Sequence, residues 1–300
     1  LPDAPSITGV DRLLGTRGNF AVKVCPDCGS GTTIPVVAED ELGNFYPDEY
    51  SPHVDPPPPS GVLAPLKLRV RDWFERRSMR RMPFVAVQDR TGGLLDIGCG
   101  RGDLAALFIK RGWEASGIEP SPLASEAARA KGVDVLTGTL GSVDLAGRRF
   151  DAVTFQHSLE HVHDPRVDLA IVRDLLEPGG TVMVSVPNFA SLQRRIFSGR
   201  WFHLDLPRHR FHYTPDGLTR LFTLAGFDVK RVGTATSVLG FPGSLSYLLI
   251  GRWAFGGGPW ATRLITLVAF ALLPIALVMS RIGGGDFLHL VATKQADDVG

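Results

Sequence analysis

An α/β fold built on a doubly wound, mostly parallel seven-stranded sheet is what this chain predicts, and three observations carry the prediction. Strand-like and helix-like segments alternate from residue 91 to about 236, which demands right-handed crossovers. The helix-like stretches tend to open on capping residues and close on glycine. The first strand runs into "LLDIGCGRGDLA", where Gly98, Gly100 and Gly102 fall within five positions. Glycines there let the backbone turn back sharply and approach a ligand closely.

Taken in order, "GGLLDIGCG" reads as strand one and "LAALFIKRG" as a helix with Asp103 as its N-cap and Gly112 at its close. "WEASGIEP" is strand two, and "SPLASEAARAKG" a serine-capped helix ended by Gly132. "VDVLTG" is strand three and "FDAVTFQH" strand four. "DPRVDLAIVRDLLEPGG" is a helix with Pro165 near its start. "TVMVSVPN" is strand five, "TPDGLTRLFTLAGF" another capped helix, "DVKRVGTAT" strand six and "DFLHLVATK" the last strand.

Around this core, residues 1–60 form a ribbon-like segment ending in the proline-rich linker "SPHVDPPPPSG". Residues 61–90 form a basic helical lead-in, with seven Lys or Arg between Lys67 and Arg81. The core occupies 91–236. An apolar helical insertion fills 237–285, and 286–300 hold the final strand and tail. In the insertion, Leu264 to Met279 is a run of sixteen residues without charge, interrupted by Pro274. A span needs about twenty apolar residues, and the chain must return to finish the sheet. The segment therefore reads as a lid or an in-plane membrane contact.

Composition narrows the function. A net charge of +1 over 300 residues gives no electrostatic case for nucleic acid. Three cysteines rule out a disulfide scaffold and fit a reducing compartment. The N-terminus has no charged start followed by an apolar run, so no secretory signal is expected. The expected location is cytoplasmic, peripheral at the inner membrane face.

The dinucleotide fingerprint wants its third glycine at the sixth position, where Asp103 stands instead. A strand ending in aspartate, then Gly-x-Gly-x-Gly, then Glu119 closing strand two in "SGIEPS", resembles the class I S-adenosylmethionine-dependent methyltransferases. "FDAVTFQHSLEHVHDP", "LLEPGGTVMVSVPN" and "RWFHLDLPRHRFHYTPDGLTRLFTLAGF" resemble a subfamily that modifies sugars, glycolipids and quinone precursors. The resemblance implies a Rossmann-like methyltransferase fold and S-adenosylmethionine as cofactor. It places Asp96, Gly98 and Gly100 along the cofactor's amino-acid end, with Cys99 in the same turn. It places Glu119 on the ribose, with Pro120 and Ser121 near the adenosine. Gly138, Thr139 and Leu140 would border the adenine, and Gln156 and His157 would flank the sulfonium.

Methyl transfer needs an acceptor oxygen held in line and its proton removed. "HSLEHVHDP" offers His157, Glu160, His161 and His163 just past strand four. His157, Glu160 and His161 would share one face of a helical turn. His157 or His161 is the expected base, with Glu160 orienting an imidazole. In quinone-pathway O-methyltransferases the matching triplet is Glu, Glu, His and holds magnesium. His157 in place of the first carboxylate argues against that hard ion. A second polar cluster, "WFHLDLPRHRFHYT", supplies His203, Asp205, Arg208, His209 and His212. His203, Arg208 and His209, with Asn188 closing strand five, are the expected substrate contacts. The expected product is an O-methylated glycan, glycolipid or other lipid-linked acceptor. A quinone-type phenol is the runner-up, and a non-catalytic S-adenosylmethionine-binding or membrane-scaffold protein the different-class alternative.

Cys25 and Cys28 in "VKVCPDCGSG" are half of a zinc-ribbon pattern, and a closed structural site needs four ligands. Zinc is expected there only if ligands outside this chain complete the set, before Leu1.

Overall fold

The computed structural model describes residues 6–38, 83–87, 89–237, 239–252 and 284–295 throughout, with scattered residues at 41–46, 65, 69 and 267–282. The basic lead-in and the proline-rich linker lie almost wholly outside the described residues, as does much of the apolar insertion.

The central sheet has seven strands in the order β10-β11-β8-β7-β4-β5-β6. These are β4 (Gly93–Ile97), β5 (Glu114–Glu119), β6 (Asp134–Thr137), β7 (Phe150–Gln156), β8 (Leu176–Pro187), β10 (Phe227–Ala235) and β11 (Phe287–Lys294). Neighbours from β8 through β6 pair in parallel, and β11 runs antiparallel between β8 and β10. The expected fold class is therefore what the chain adopts. Order reverses between β4 and β7, and the crevice at the carboxyl ends of these strands is where such sheets bind ligands.

The central strands are near-continuous apolar runs because both faces are covered. Ile97, Phe155, Val184, Leu290 and Phe222 fill one side of the sheet, and Leu94, Phe108, Trp113, Met183 and Val291 the other. Each such side chain contributes roughly 1.5–3 kcal/mol by leaving water. Helices α1 (Asp103–Ile109), α2 (Pro122–Arg129), α3 (Pro165–Leu175), α4 (Leu192–Phe197) and α5 (Pro215–Leu224) follow their strands. Ser121, Asp164, Ser191 and Thr214 each accept a backbone N–H of the helix they cap.

Two boundaries differ from the sequence reading. Asp103 is the first helical residue rather than the cap; the cap is Gly102 at φ +75, where a Cβ would lie 2.7 Å from that of Ala128. Asp103 instead pairs with Arg101 and Lys131. Strand β8 begins at Leu176 rather than Thr181, because Leu176 is already extended and Pro178 cannot continue a helix.

The N-terminal segment is a second, antiparallel sheet: β1 (Ser6–Gly9), β2 (Phe20–Val24) and β3 (Gly31–Ile34). Its fourth strand is β9 (Phe211–His212), contributed by the loop that follows β8 and α4. Phe20, Val22, Phe189, Trp201 and Leu206 form the core beneath it. The bridge Asn188–Tyr213 ties this sheet to the central one.

Helix α6 (Gly240–Ile250) opens the apolar insertion, and further helical residues are described between 267 and 282. No helix among the described residues is long and apolar enough to cross a membrane.

Candidate active site

The turn after β4 is held by its own backbone and by one carboxylate. Gly98 and Gly100 adopt φ +70 and +54, a region that side chains disfavour. The N–H groups of Gly98 and Cys99 donate to the Ile118 carbonyl. Glu119, only 5% exposed, accepts from the Gly100 N–H at 2.8 Å and from the Ser121 N–H at 2.9 Å. One side chain thus ties the glycine turn to the start of α2. An ionised carboxylate has about four acceptor sites, so Glu119 keeps capacity for a ribose diol. The donor set fits the adenosyl cofactor that the fold implies.

The expected cofactor residues divide by exposure. Pro120 and Thr139 are exposed, and Gly98, Gly100, Gly138, Gln156 and His157 are half-buried at the same edge. Asp96, Cys99 and Leu140 are buried behind them. Asp96 accepts from the Thr154 hydroxyl at 2.6 Å, and burial pushes its carboxyl up to about 7. Asp96 therefore supports the turn from beneath. Cys99 packs on Gly117, where a Cβ would come 2.5 Å from its sulfur, and burial raises its thiol.

Past β7 the expected turn starts one residue late, with the His161 N–H donating to the Ser158 carbonyl. His157 sits at φ +56, unusual for a residue with a side chain, and its N–H donates to the Ser185 carbonyl. Ser158 then donates to the Ile97 carbonyl, fastening the turn to β4. The His157 ring lies 4.5 Å from that of Phe287, and its Nδ1 is 3.6 Å from Glu160 Oε1. Glu160 is 1% exposed, and among the described residues neither of its carboxylate oxygens has a hydrogen-bond partner. Burial pushes its carboxyl up, but His157, His161 and His209 outweigh this and bring it down to about 2.

Two more imidazoles lie beside Glu160. His161 Nδ1 contacts the Tyr46 hydroxyl at 2.9 Å and the Arg208 carbonyl at 3.0 Å. His209 Nδ1 contacts the His203 carbonyl at 3.0 Å, and its Nε2 is 3.9 Å from Glu160. Burial, reinforced by His161, lowers His209 to about 4, so it is neutral at physiological pH. Three imidazoles and one carboxylate do not fit magnesium, which wants an octahedron of oxygens.

Several expected substrate contacts prove to be framework. Arg208 has no exposed surface: its guanidinium bridges Asp11 and Asp205 and donates to the Phe45 carbonyl. Asn188 bonds to the Gly285 carbonyl and the Ala190 N–H, ending its strand. His203 is spent on the buried Asp286 at 3.1 Å. His212 meets the Thr33 hydroxyl, and His163 meets Arg210. In each case a polar group in a closed loop is satisfied by its neighbours, as burial requires. Asp11, Tyr46, Asp286 and Phe287 were not anticipated; they reach the site from remote parts of the chain, and no spacing signals that.

Cys25 and Cys28 lie in the turn between β2 and β3, both as free, half-exposed thiols. The N–H groups of Cys28 and Asp27, with the Cys28 thiol, pull the Cys25 thiol down. Two cysteine sulfurs are half of a closed zinc set. Among the described residues, the one cluster of three or more metal-capable side chains is Glu160, His161 and His209.

Comparison with known proteins matches this geometry. Residues 67–232, more than half of the chain, match the family model described as "Methyltransferase domain". A ubiquinone biosynthesis O-methyltransferase of Cereibacter sphaeroides is 33% identical over 186 residues, 58% of this chain and 73% of that protein. One of Aeromonas salmonicida is 31% identical over 162 residues, 48% and 68% of the two chains. Among solved structures, an S-adenosylmethionine-dependent methyltransferase of Archaeoglobus fulgidus overlays 78% of this chain and all of its own, with TM-score 0.50 at 20% identity. One from Thermotoga maritima, a possible histamine N-methyltransferase, overlays 78% and 99%, also at 0.50, with 21% identity. Those two likenesses speak to the fold. Glycine turn, strand order and family match converge: the chain belongs to the methyltransferase-domain family and is an S-adenosylmethionine-dependent methyltransferase.

Proposed function

We propose that this enzyme transfers a methyl group to the hydroxyl of a quinone-type phenol carrying apolar substituents. The observation that carries the proposal is the His157–Glu160 pair at the carboxyl end of β7, beside the glycine turn. S-adenosylmethionine, when bound, supplies an electrophilic methyl. The chain supplies the base: His157 takes the acceptor's hydroxyl proton, and the Glu160 carboxylate, 3.6 Å behind Nδ1, stabilises the imidazolium. A carboxyl brought to about 2 stays ionised throughout the working range. A positioned base of this kind contributes about 10²–10⁴ in rate. Phe287 and His157, their ring centroids 4.5 Å apart and their planes tilted by 54°, provide an angled aromatic wall against which an aromatic acceptor can pack.

Two further observations support the reading. The curated relatives are named for ubiquinone biosynthesis, whereas a glycan or glycolipid acceptor has no such support. Leu248, Leu249 and Ile250 at the end of α6, with Leu267, Ile275 and Ile282, hold their side chains in solvent. That surface suits a peripheral lipid contact at which an apolar acceptor is collected.

The test is incubation with labelled methyl donor and a set of probes: a catechol, a prenylated phenol and a glycolipid extract. Label on a phenolic oxygen, lost in His157→Ala with donor binding intact, is the expected result. Label on the glycolipid alone would return the acceptor to the sugar class.

A further inference from the structure

The two faces of the central sheet differ at the carboxyl ends of its parallel strands. On one face Ile97, Phe155, Val184 and Leu290 are apolar and buried. On the other, the apolar cluster holding Met183 and Val291 gives way, two residues nearer the crevice, to Ser185 and His289. Residues two apart on a strand share a face. Gln156 on β7 lies opposite Ser185 on β8, which lies opposite His289 on β11, so one polar row crosses three strands.

His289 is the one polar residue between Phe287 and Ala292 in an otherwise apolar strand. Its ring is 9% exposed, and its Nδ1 sits 2.7 Å from the hydroxyl of the fully buried Ser185. Among the described residues it makes no other hydrogen bond, so Nε2 is the nitrogen left for a ligand. Burial, with His157 beside it, lowers His289 to about 4, and the ring is neutral at physiological pH. Ser185 also holds the base: its carbonyl accepts the His157 N–H at 2.8 Å. One serine thus positions two imidazoles, and Phe287, two residues from His289 on the same strand face, packs on the His157 ring. Closing the sheet needs no imidazole here, since an apolar side chain would pack as its neighbours do.

We propose that His289, held by Ser185, binds a second oxygen on the acceptor ring whose hydroxyl His157 deprotonates. The inference rests on the phenol reading above and narrows it to aromatic acceptors bearing at least two oxygens. The Ser185 hydroxyl can donate to Nδ1 or accept from it, so either tautomer is held. Nε2 can therefore accept from a second hydroxyl or donate to a carbonyl or ether oxygen. Ser185 acts through the ring and is a positioning residue.

The experiment measures kcat and KM for catechol and for phenol with S-adenosylmethionine, in the full chain and its variants. Wild type should prefer catechol, and His289→Ala should cut that preference about tenfold, the worth of one neutral hydrogen bond. The loss should sit in the catechol KM rather than in kcat, with donor affinity retained. His289→Gln, whose amide both donates and accepts, should recover part of the preference. Should His289→Ala fail to fold, His289→Phe combined with Ser185→Ala removes both polar partners together, an exchange close to neutral for stability. The preference is then read from that variant. Phenol used as well as catechol by wild type, or a catechol preference that survives loss of the imidazole, would overturn the second anchor alone. Label on neither compound from wild type would overturn the phenol reading and the anchor with it.

Discussion

The two halves of the active-site edge are built on opposite plans. On the expected cofactor side, the glycine turn and its support lie close together in the chain, and one carboxylate, Glu119, gathers backbone N–H groups two and nineteen residues away. On the acceptor side, Arg208 joins Asp11 across 197 positions, and Tyr46 meets His161 across 115. The first half is local and made of backbone; the second is assembled from distant side chains, most of them buried. Binding the same cofactor needs one fixed cradle, while an acceptor pocket can be respecified by the elements that lean on it. The N-terminal segment is such an element here, because Asp11, between β1 and β2, and Tyr46, beyond β3, hold the loop and turn that carry His209 and His161.

Four measurements would break or sharpen this contrast. The largest effect is expected from Arg208→Ala, which strands two buried carboxylates. Breaking a buried pair costs about 3–5 kcal/mol, read as a shift in denaturation midpoint, and the loss should fall on fold and activity together. A wild-type midpoint would mean that the N-terminal sheet is merely attached. Next, His157→Ala should lower kcat by about 10²–10⁴ while donor affinity stays within twofold. An unchanged kcat would move the base elsewhere. Third, Glu119→Gln weakens charge-assisted bonds worth about 1.5–3 kcal/mol, so donor Kd should rise roughly 10- to 100-fold with stability little altered. Equal loss of stability would show the cradle to be as interdependent as the acceptor side.

The smallest effect is the pH dependence. Burial lowers His209 and His289 to about 4 and His212 to about 3, so the unfolded chain binds more protons below about 6.5. Asp96, raised to about 7, and Asp168, raised to about 6, act in the opposite sense. Near pH 5 the balance is uptake of about one proton on unfolding. Stability should therefore fall modestly as pH drops from 6.5 towards 4.5, followed by chemical denaturation at several pH values. Rising stability on acidification would contradict the burial of these imidazoles.

This contrast also explains what was legible in the sequence. Strand order, the glycine turn and Glu119 follow from periodicity, turn chemistry and a short spacing, all of which are local. His157 and Glu160 were legible as chemistry and as neighbours, yet the left-handed backbone of His157, which starts the turn one residue late, was not. Arg208, Asn188 and His203 look like substrate contacts because exposed loops and closed loops share a composition. What distinguishes them is a partner elsewhere in the chain, such as Asp11 for Arg208 or Asp286 for His203. No local pattern announces such partners.

The pairing of β3 with the two residues of β9 carries a consequence for biosynthesis. The three N-terminal strands leave the ribosome long before Phe211 and His212, which complete their sheet. At roughly 5–20 residues per second, the nascent hairpin waits on the order of ten seconds or more with an unpaired edge. Open strand edges invite pairing with other chains. Overexpression at a temperature that slows elongation relative to chaperone capture is thus the regime in which this protein's yield should be decided.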